Sequence, residues 1–229
     1  MSISEVLAMH TESIEIKNGT LDISVHSQKL ALNELLDFAS RENPKRGFLF
    51  VSKVLGKHIP VKPNMMRKTY DLLASDLFED VSTFMVGMAE TATGLGAGVA
   101  DSLARKQKRD VYYQHTTRHE CNKPIWFTLD ESHSHAVDHI LYEPDSRLFG
   151  QILSCERLVL VDDEISTGRT LGLLGTKLLN RLPNVKEVVI VSLVNWLGEK
   201  DHSQYADWRA QYLMFHCLKV NLHLNQNQA

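Results

Sequence analysis

The stretch LVLVDDEISTGRT, residues Leu158 to Thr170, decides the fold class of this chain. Its first four residues form an uninterrupted apolar run, which is typical of a parallel strand buried on both faces. Asp162 and Asp163 follow directly, and a loop containing Gly168 leads into a segment with helical spacing. Since open α/β sheets bind ligands beyond the carboxyl ends of their strands, this order of parts predicts a ligand site at the acidic pair.

The side chains in this stretch favour a phosphorylated sugar as the ligand. Asp162 and Asp163 can accept hydrogen bonds from vicinal hydroxyls, and the backbone N–H groups of residues 165–170 can surround a phosphate at a helix start. The loop adds hydroxyl donors and a position of close backbone approach, at Ser166, Thr167, Thr170 and Gly168. The simpler alternative is a buried strand followed by a capped helix, but it leaves the adjacent carboxylates unexplained.

These residues resemble the signature with which type I phosphoribosyltransferases bind 5-phosphoribosyl 1-pyrophosphate (PRPP). The resemblance implies an α/β fold, with helices on both faces of a mainly parallel sheet and a small N-terminal hood with a β-hairpin. It also implies transfer of the phosphoribosyl group to a nucleobase-like acceptor, with Asp162 and Asp163 holding the ribose hydroxyls directly or through Mg²⁺. The residues expected to bind the 5-phosphate are Glu164, Ile165, Ser166, Thr167, Gly168, Arg169 and Thr170.

A second candidate element follows the predicted strand Thr83 to Met88. Taken alone, the small residues of GLGAGVA indicate either tight packing of a helix on the strand or a ligand loop, and the spacing of a dinucleotide fingerprint is absent. In the family the loop after this strand binds pyrophosphate. The resemblance therefore assigns pyrophosphate binding to Ala89, Glu90, Thr91, Ala92 and Thr93, with Lys53 and Lys57 of a hood-like segment also reaching phosphate or base.

The histidine-rich segment from Tyr112 to His139 has three interpretations. One is a zinc site among His115, His119, Cys121, His133, His135 and His139, although no usual zinc spacing is met. Another is the mobile loop that the resemblance implies, which closes over PRPP with Arg118 as the catalytic cation. Its other members would be His119, Lys123, Glu131, His133 and His135. The third is a solvated loop with incidental histidines.

Composition restricts the function classes. The formal net charge of −3 gives no electrostatic case for nucleic-acid binding, so a small-molecule ligand is expected. Cys121, Cys155 and Cys217 lack paired spacing, which favours a reducing cytoplasm. No apolar run approaches the roughly 20 residues of a membrane span, and the first residues do not resemble a signal peptide. We therefore expect a cytoplasmic protein without nucleic-acid or membrane partners.

The chain is predicted to divide into a hairpin and hood region, residues 1–80, and a PRPP-binding core, residues 81–229. Asn18-Gly19 between alternating apolar residues predicts the hairpin, and Ser27 is expected to cap a helix that ends before Asn43-Pro44. A short strand near residues 47–52 and a helix near residues 65–78 follow. In the core, strands are predicted near Ser82–Met88, Asp110–His115, Val137–Tyr142, Arg157–Asp162 and Val185–Leu193.

Helices are predicted between these strands, near Leu95–Lys106, Asp145–Leu153, Thr170–Arg181 and Gln204–Phe215. Such alternation is typical of a mainly parallel sheet covered on both faces. The residues from Leu218 to Leu224 are apolar at period two, which predicts an edge strand.

A narrower resemblance concerns the acceptor. The hood-like segment and the TTR and SHSHA stretches are similar to orotate phosphoribosyltransferase-like enzymes encoded in tellurium-resistance gene clusters. Ser166 stands where members that use 6-oxopurines carry an acidic residue, so a pyrimidine, an adenine-like base or another heterocycle stays open. Asn195 and Trp196, at a predicted strand end, are candidates for base contact, although Trp196 also suits a core position.

We expect a homodimer. Two other functions are considered, a PRPP-sensing regulator without transferase activity and a role like that of a PRPP synthase. The charge and the pattern show no DNA-binding module of the kind that such a sensor usually carries. The chain also has no ATP-site signature and no room for two synthase-like domains.

Overall fold

The computed structural model describes residues 9–43, 46–129 and 139–226. In chain order its elements are β1 (His10–Ile16), β2 (Gly19–Gln28), α1 (Leu32–Leu35), β3 (Leu36–Ser40), β4 (Phe48–Ser52), α2 (Pro63–Ala74), β5 (Thr83–Gly87), α3 (Ala92–Gln107), β6 (Val111–His115), β7 (Ile125–Leu129), β8 (His139–Tyr142), α4 (Ser146–Leu153), β9 (Arg157–Ile165), α5 (Arg169–Leu179), β10 (Glu187–Asn195) and β11 (Gln211–Gln226). Two 3-10 segments, Ser75–Leu77 and Glu199–Tyr205, complete them.

Seven strands form the central sheet, in the order β1-β2-β11-β10-β9-β5-β6. The five strands from β11 to β6 are parallel, and only β1 and β2 run antiparallel to their neighbours. The apolar run Leu158–Val161 of β9 is fully buried in the middle of this sheet. A strand covered on both faces requires such a run, so the predicted mainly parallel fold is confirmed.

The N-terminal hairpin is continuous with the central sheet. The predicted hairpin is present, but its two-residue turn is Lys17-Asn18 rather than Asn18-Gly19, because Gly19 already pairs with Ile16 as the first residue of β2. β2 also pairs with β11 in antiparallel register. Leu21, Ile23 and Val25 alternate with partly exposed residues and face the core. The hairpin therefore contributes to the same hydrophobic core as the parallel strands, while the division into residues 1–80 and 81–229 stays a prediction.

The helix predicted after Ser27 is wrong. Ser27 lies inside β2, where its hydroxyl is 3.1 Å from Nε2 of His216, and α1 has only four residues. The chain then continues as β3, which pairs with β4 to form a separate two-stranded sheet that we call the hood sheet. Pairing of Phe38 with Phe50 across these strands overrides the local helical pattern.

The C-terminal predictions need two corrections. Residues 204–215 do not form a helix, because the 3-10 segment ends at Tyr205 and β11 begins at Gln211. The rings of Tyr205, Trp208 and Tyr212 pack against one another and direct the chain into the sheet. β11 is also not an edge strand, since it lies between β2 and β10.

The remaining strands and helices are close to the prediction. β7 was not predicted, and it pairs with β8 in a two-stranded sheet of their own, so β8 does not join the central sheet. Among the described residues, no helix combines the length and apolar character needed to cross a membrane.

Truncating the hairpin at its buried face tests whether it belongs to the core. Ile23→Ala should lower the free energy of unfolding by about 2–5 kcal/mol, because the side chain is fully enclosed. Ser24→Ala, on the opposite face of the same strand, should change it by about 0.5 kcal/mol or less. Urea unfolding measures both, and equal effects would contradict the packing of β2.

Candidate active site

The ends of three adjacent parallel strands bring three loops together. Gly87 of β5 pairs with Val161 of β9, and Ile165 of β9 pairs with Asn195 of β10. The register continues beyond the strands, because the N–H of Met88 donates to the carbonyl of Val161 at 2.8 Å. The acidic residues at the end of β9 therefore lie between the loops that follow β5 and β10.

Asp162 and Asp163 form the acidic pair at this edge, and both are partly accessible. The carboxylate of Asp162 accepts a hydrogen bond from the backbone N–H of Asp163 at 2.9 Å. Burial, followed by the neighbouring charge of Asp163, raises the pKa of Asp162 well above its usual range. An opposing positive charge or hydroxyl donors would stabilise the ionised form, so the pair is suited to a sugar diol or a hard cation.

The loop that follows β9 is shaped to receive an anion. Gly168 adopts a left-handed conformation, with φ 69°, and precedes the first turn of the eleven-residue helix α5. The hydroxyl of Tyr205 lies 3.4 Å from the carbonyl oxygen of Gly168, and the side-chain amide of Gln204 donates to the carbonyl of Thr167. These contacts fix the loop while the first N–H groups of α5 are directed out of the helix.

The segment Ala89–Thr93, predicted to bind pyrophosphate, follows β5, and its last two residues form the start of α3, which begins at Ala92. The peptide bond between Ala89 and Glu90 is cis. The N–H of Ala89 donates to the hydroxyl of Thr116 at 2.8 Å, and Tyr113 donates to the carbonyl of Thr93 at 2.6 Å. Tyr113 of β6 and Thr116, directly after β6, thus hold this loop in place.

The glycine cluster of α3 is explained by close packing. A Cβ atom at Gly96 would lie 2.8 Å from the ring of Tyr113 and 3.3 Å from the Cα atom of Gly87. A Cβ atom at Gly98 would lie 2.2 Å from the ring of Tyr70. Tight packing of the helix on the strand is therefore confirmed, and the loop that precedes the helix lies beside the acidic pair.

The two lysines of the hood-like segment have different positions. Lys57 donates from its ammonium group to the hydroxyl of Thr91 in the loop after β5. Lys53 is instead paired with Asp37 across the hood sheet, at 3.3 Å. Lys57 is thus the lysine that contacts the loop predicted to bind pyrophosphate.

The segment after β6 runs beside the same loop, and it is exposed from Arg118 onward. Thr116 contacts Ala89, and Nε2 of His119 lies 3.9 Å from a carboxylate oxygen of Glu90. Arg118, between them in sequence, is exposed, as is Lys123. The predicted loop members Glu131, His133 and His135 lie outside the described residues. Within the described part of the chain, no group of three or more His, Cys, Asp or Glu side chains could hold a metal ion, so the zinc hypothesis gains no support there.

Glu164 is placed differently from its predicted role at the phosphate. Its carboxylate forms an ion pair with Arg46 at 2.8 Å and accepts a hydrogen bond from the indole of Trp196 at 2.8 Å. The side chain therefore faces the hood rather than the loop at Gly168. Burial raises the pKa of Glu164, and Arg46 and Trp196 oppose that shift.

The side chains of Asn195 and Trp196, at the end of β10, face different parts of the protein. The amide oxygen of Asn195 accepts from the N–H of Leu197 at 3.0 Å and from Lys219 at 3.3 Å, so this side chain faces inward. Trp196 packs against the rings of Phe48 and Phe50. Of the two candidates for base contact, only Trp196 lies next to the hood.

A narrow cleft separates the hood sheet from the carboxyl edge of the central sheet. The hood contributes Leu36, Phe50 and Ser52, and the opposite wall includes Asp163, Glu164 and Thr91. The cleft therefore connects the acidic pair with the loop after β5 and has an aromatic side chain in its wall. Its walls combine an aromatic ring with polar side chains, which are the kinds of group that contact a planar, partly polar ring.

This arrangement is that of the type I phosphoribosyltransferase fold, as the sequence predicted. The chain belongs to the phosphoribosyl transferase family, whose model matches residues 35–222. It is accordingly a pentosyltransferase of the PRPP-dependent class.

Solved structures of adenine phosphoribosyltransferases are similar in fold. The enzyme from Trypanosoma brucei, solved with AMP, pyrophosphate and ribose-5-phosphate, has a TM-score of 0.55 and 14% identity over 90% of this chain and 86% of that one. The enzyme from Thermoanaerobacter pseudethanolicus has a TM-score of 0.54 and 14% identity over 82% and 97% of the two chains. The Leishmania donovani enzyme has a TM-score of 0.54 and 16% identity over 81% and 77%. Comparison with curated protein sequences gives no match.

Sequence reasoning missed three residues that organise the site, Arg46, Thr116 and Tyr205. Thr116 follows a predicted strand directly, and this position was a usable signal for a site residue. Arg46 and Tyr205 carried no such signal, because each acts on a residue far away in sequence, Glu164 and Gly168.

Replacing Gly168 should damage the loop after β9. In Gly168→Ala the left-handed backbone costs about 1–2 kcal/mol, and the new Cβ atom would lie 2.0 Å from the hydroxyl oxygen of Tyr205. We expect the affinity for Mg²⁺–PRPP to fall at least about tenfold, a change measurable by calorimetry. Gly150→Ala, where no atom lies within 4 Å of the new group, is the matched control. Unchanged affinity of Gly168→Ala for Mg²⁺–PRPP would contradict the assignment of this loop to the PRPP site.

Proposed function

We propose that this protein transfers the 5-phosphoribosyl group of PRPP to a ring nitrogen of a nucleobase-like acceptor and releases pyrophosphate. The observation that carries the proposal is the position of Asp162 and Asp163 between two loops that each lead into a helix. The first turn of α5 would supply backbone N–H groups to one anion. In the loop after β5 the N–H groups of Glu90 and Thr91 would do so, since those of Ala89, Ala92 and Thr93 donate within the protein. The carboxylates suit the hydroxyls between the two phosphate groups of PRPP.

The roles of the loops follow from their shapes. Ser166 to Thr170, with Gly168 at the helix start, would bind the 5-phosphate, while the backbone of Ile165 is part of β9 and Glu164 faces the hood. Ala89 to Thr93 would bind pyrophosphate, with Lys57 supplying positive charge at Thr91. With this division of roles, the C1 atom of the ribose would lie near Asp162 and Asp163, next to the cleft.

The acidic pair fits Mg²⁺. This ion prefers oxygen ligands, and it is commonly held by one or two carboxylates together with substrate phosphates and several waters. Asp162 and Asp163 would supply the carboxylates, and PRPP and water would supply the remaining oxygens. When bound, the ion adds positive charge at the pyrophosphate oxygens.

Departure of pyrophosphate leaves an oxocarbenium-like ribose, so the leaving group must be neutralised and the acceptor held in line. Arg118 lies on the exposed segment beside the loop at Glu90, where it would reach pyrophosphate when that segment closes over the site. The carboxylates of Asp162 and Asp163 are suited to hold the ribose and to face the positive charge that develops on it.

The acceptor would occupy the cleft below the hood sheet. Phe50 in one wall suits a planar ring, and Ser166 provides no carboxylate for contact with a 6-oxopurine. A pyrimidine, an adenine-like base or another heterocycle remains compatible with these side chains. The homodimer and the link to tellurium-resistance clusters stay predictions from the resemblance.

The deciding experiment is pyrophosphate release from PRPP and Mg²⁺ across a panel of purine, pyrimidine and related heterocyclic bases. Asp163→Asn should lower base-dependent release about 100-fold or more while leaving the circular dichroism spectrum unchanged, because only the charge at the ribose is lost. Asp110→Asn, an exposed residue just before β6 at the opposite edge of the sheet, should retain wild-type activity. Retained turnover in Asp163→Asn would contradict the assigned role.

Arg118→Ala should reduce kcat at least about tenfold and change the affinity for PRPP less, because its guanidinium acts on the leaving group in the closed state. Arg181→Ala, an exposed residue just beyond the carboxyl end of α5, provides the control for loss of one surface charge. Steady-state rates and calorimetric titration of PRPP separate the two parameters. Equal losses in both would argue against a role limited to the closed state.

A further inference from the structure

Glu164 is an additional carboxylate immediately after the acidic pair, and it forms an ion pair with Arg46, which precedes β4 of the hood sheet. Two N–O contacts join it to Arg46, Nη1 to Oε1 at 2.8 Å and Nη2 to Oε2 at 3.1 Å. Such parallel contacts restrict both the distance and the angle between the two groups.

The ion pair is largely shielded from solvent. The side chains of Arg46 and Glu164 are 23% and 19% exposed. The guanidinium carbon lies 4.7 Å from the ring centre of Phe48, 5.2 Å from that of Phe50 and 5.2 Å from that of Trp196. Aromatic faces attract a cation, and shielding strengthens its attraction to the carboxylate. The pair is therefore better placed to fix geometry than a surface ion pair would be.

The partners belong to different parts of the fold. Arg46 precedes β4 of the hood sheet, whereas Glu164 lies in β9 and Trp196 follows β10. Phe50 of β4 packs edge-on against Trp196 and also lines the cleft beside Asp163. A change in the distance between Arg46 and Glu164 would consequently move the hood wall of the cleft relative to the acidic pair.

We propose that Arg46 is a positioning residue for acceptor binding, because its ion pair with Glu164 holds the hood sheet at a fixed distance over the cleft. The inference rests on the proposed function, since it takes this cleft as the acceptor site. Arg46 acts through Glu164, Phe50 and Trp196 and does not itself contact the reacting atoms.

A double substitution separates positioning from simple charge balance. Arg46→Met keeps an apolar side chain against the rings but leaves Glu164 as an unpaired charge next to Asp163, so stability and PRPP affinity should both fall. Arg46→Met combined with Glu164→Gln removes both charges, and the net charge of the site is restored. The affinity for Mg²⁺–PRPP should then return to within about threefold of wild type, and most of the lost free energy of unfolding should be regained, whereas the ion pair no longer holds the hood.

Two readouts report the position of the hood. Amide hydrogen exchange of β3 and β4 should be faster in the double variant than in wild type, with exchange of β9 and α5 unchanged. The KM of the base that gives turnover in the acceptor panel should rise at least about tenfold in the double variant, while the affinity for Mg²⁺–PRPP is retained. Arg46→Lys keeps the charge without the planar two-point contact and should give an intermediate KM.

Arg41→Met is the matched control, because Arg41 is an exposed arginine next to the same hood sheet. It should alter neither hydrogen exchange nor KM. The inference is overturned if the double variant shows wild-type hood exchange and KM, or if it loses PRPP affinity as much as it loses acceptor affinity. Absence of base-dependent turnover in the wild-type protein would instead contradict the proposed function, and the exchange measurement would still decide whether the ion pair holds the hood.

Discussion

The parallel pairing of β9 with β5 on one side and β10 on the other is the constraint on which the site depends. It brings the ends of three strands to one edge, so that loops distant in sequence lie around Asp162 and Asp163. The strand is stable in this central position because its run Leu158–Val161 is buried on both faces. The charged side chains of β9 lie on either side of this apolar run, with Arg157 before it and the acidic pair directly after it.

Side chains packed against the binding loops also determine the shape of the site. Gly168 has no side chain, and Tyr205 occupies the space that a side chain would require. Thr116 supports the loop after β5 by accepting from Ala89. These contacts preorganise the backbone N–H groups before any anion arrives, which reduces the ordering that binding itself must accomplish. The conformation of the binding loops thus depends on the surrounding packing as much as on their own sequences.

Errors in the sequence-based interpretation occurred where distant pairing opposed a local pattern. The segment after Ser27 has helical spacing, yet Leu36–Ser40 becomes a strand because β4 is available as a partner. The residues from Gln204 to Phe215 also suggested a helix, but the cluster of Tyr205, Trp208 and Tyr212 turns the chain into β11. An apolar period of two does not distinguish an edge strand from a strand that pairs with a neighbouring strand on each side.

The sequence by itself determined the parallel core, the acidic pair and the loop at Gly168, because these features are contained in one short stretch with its own hydrophobic pattern and turn chemistry. Only the tertiary structure decided that Glu164 faces the hood and that Arg46 is its partner. These residues are 118 positions apart, and they meet because β4 folds over the end of β9. No local pattern encodes such a contact, since it depends on how two separate sheets are packed.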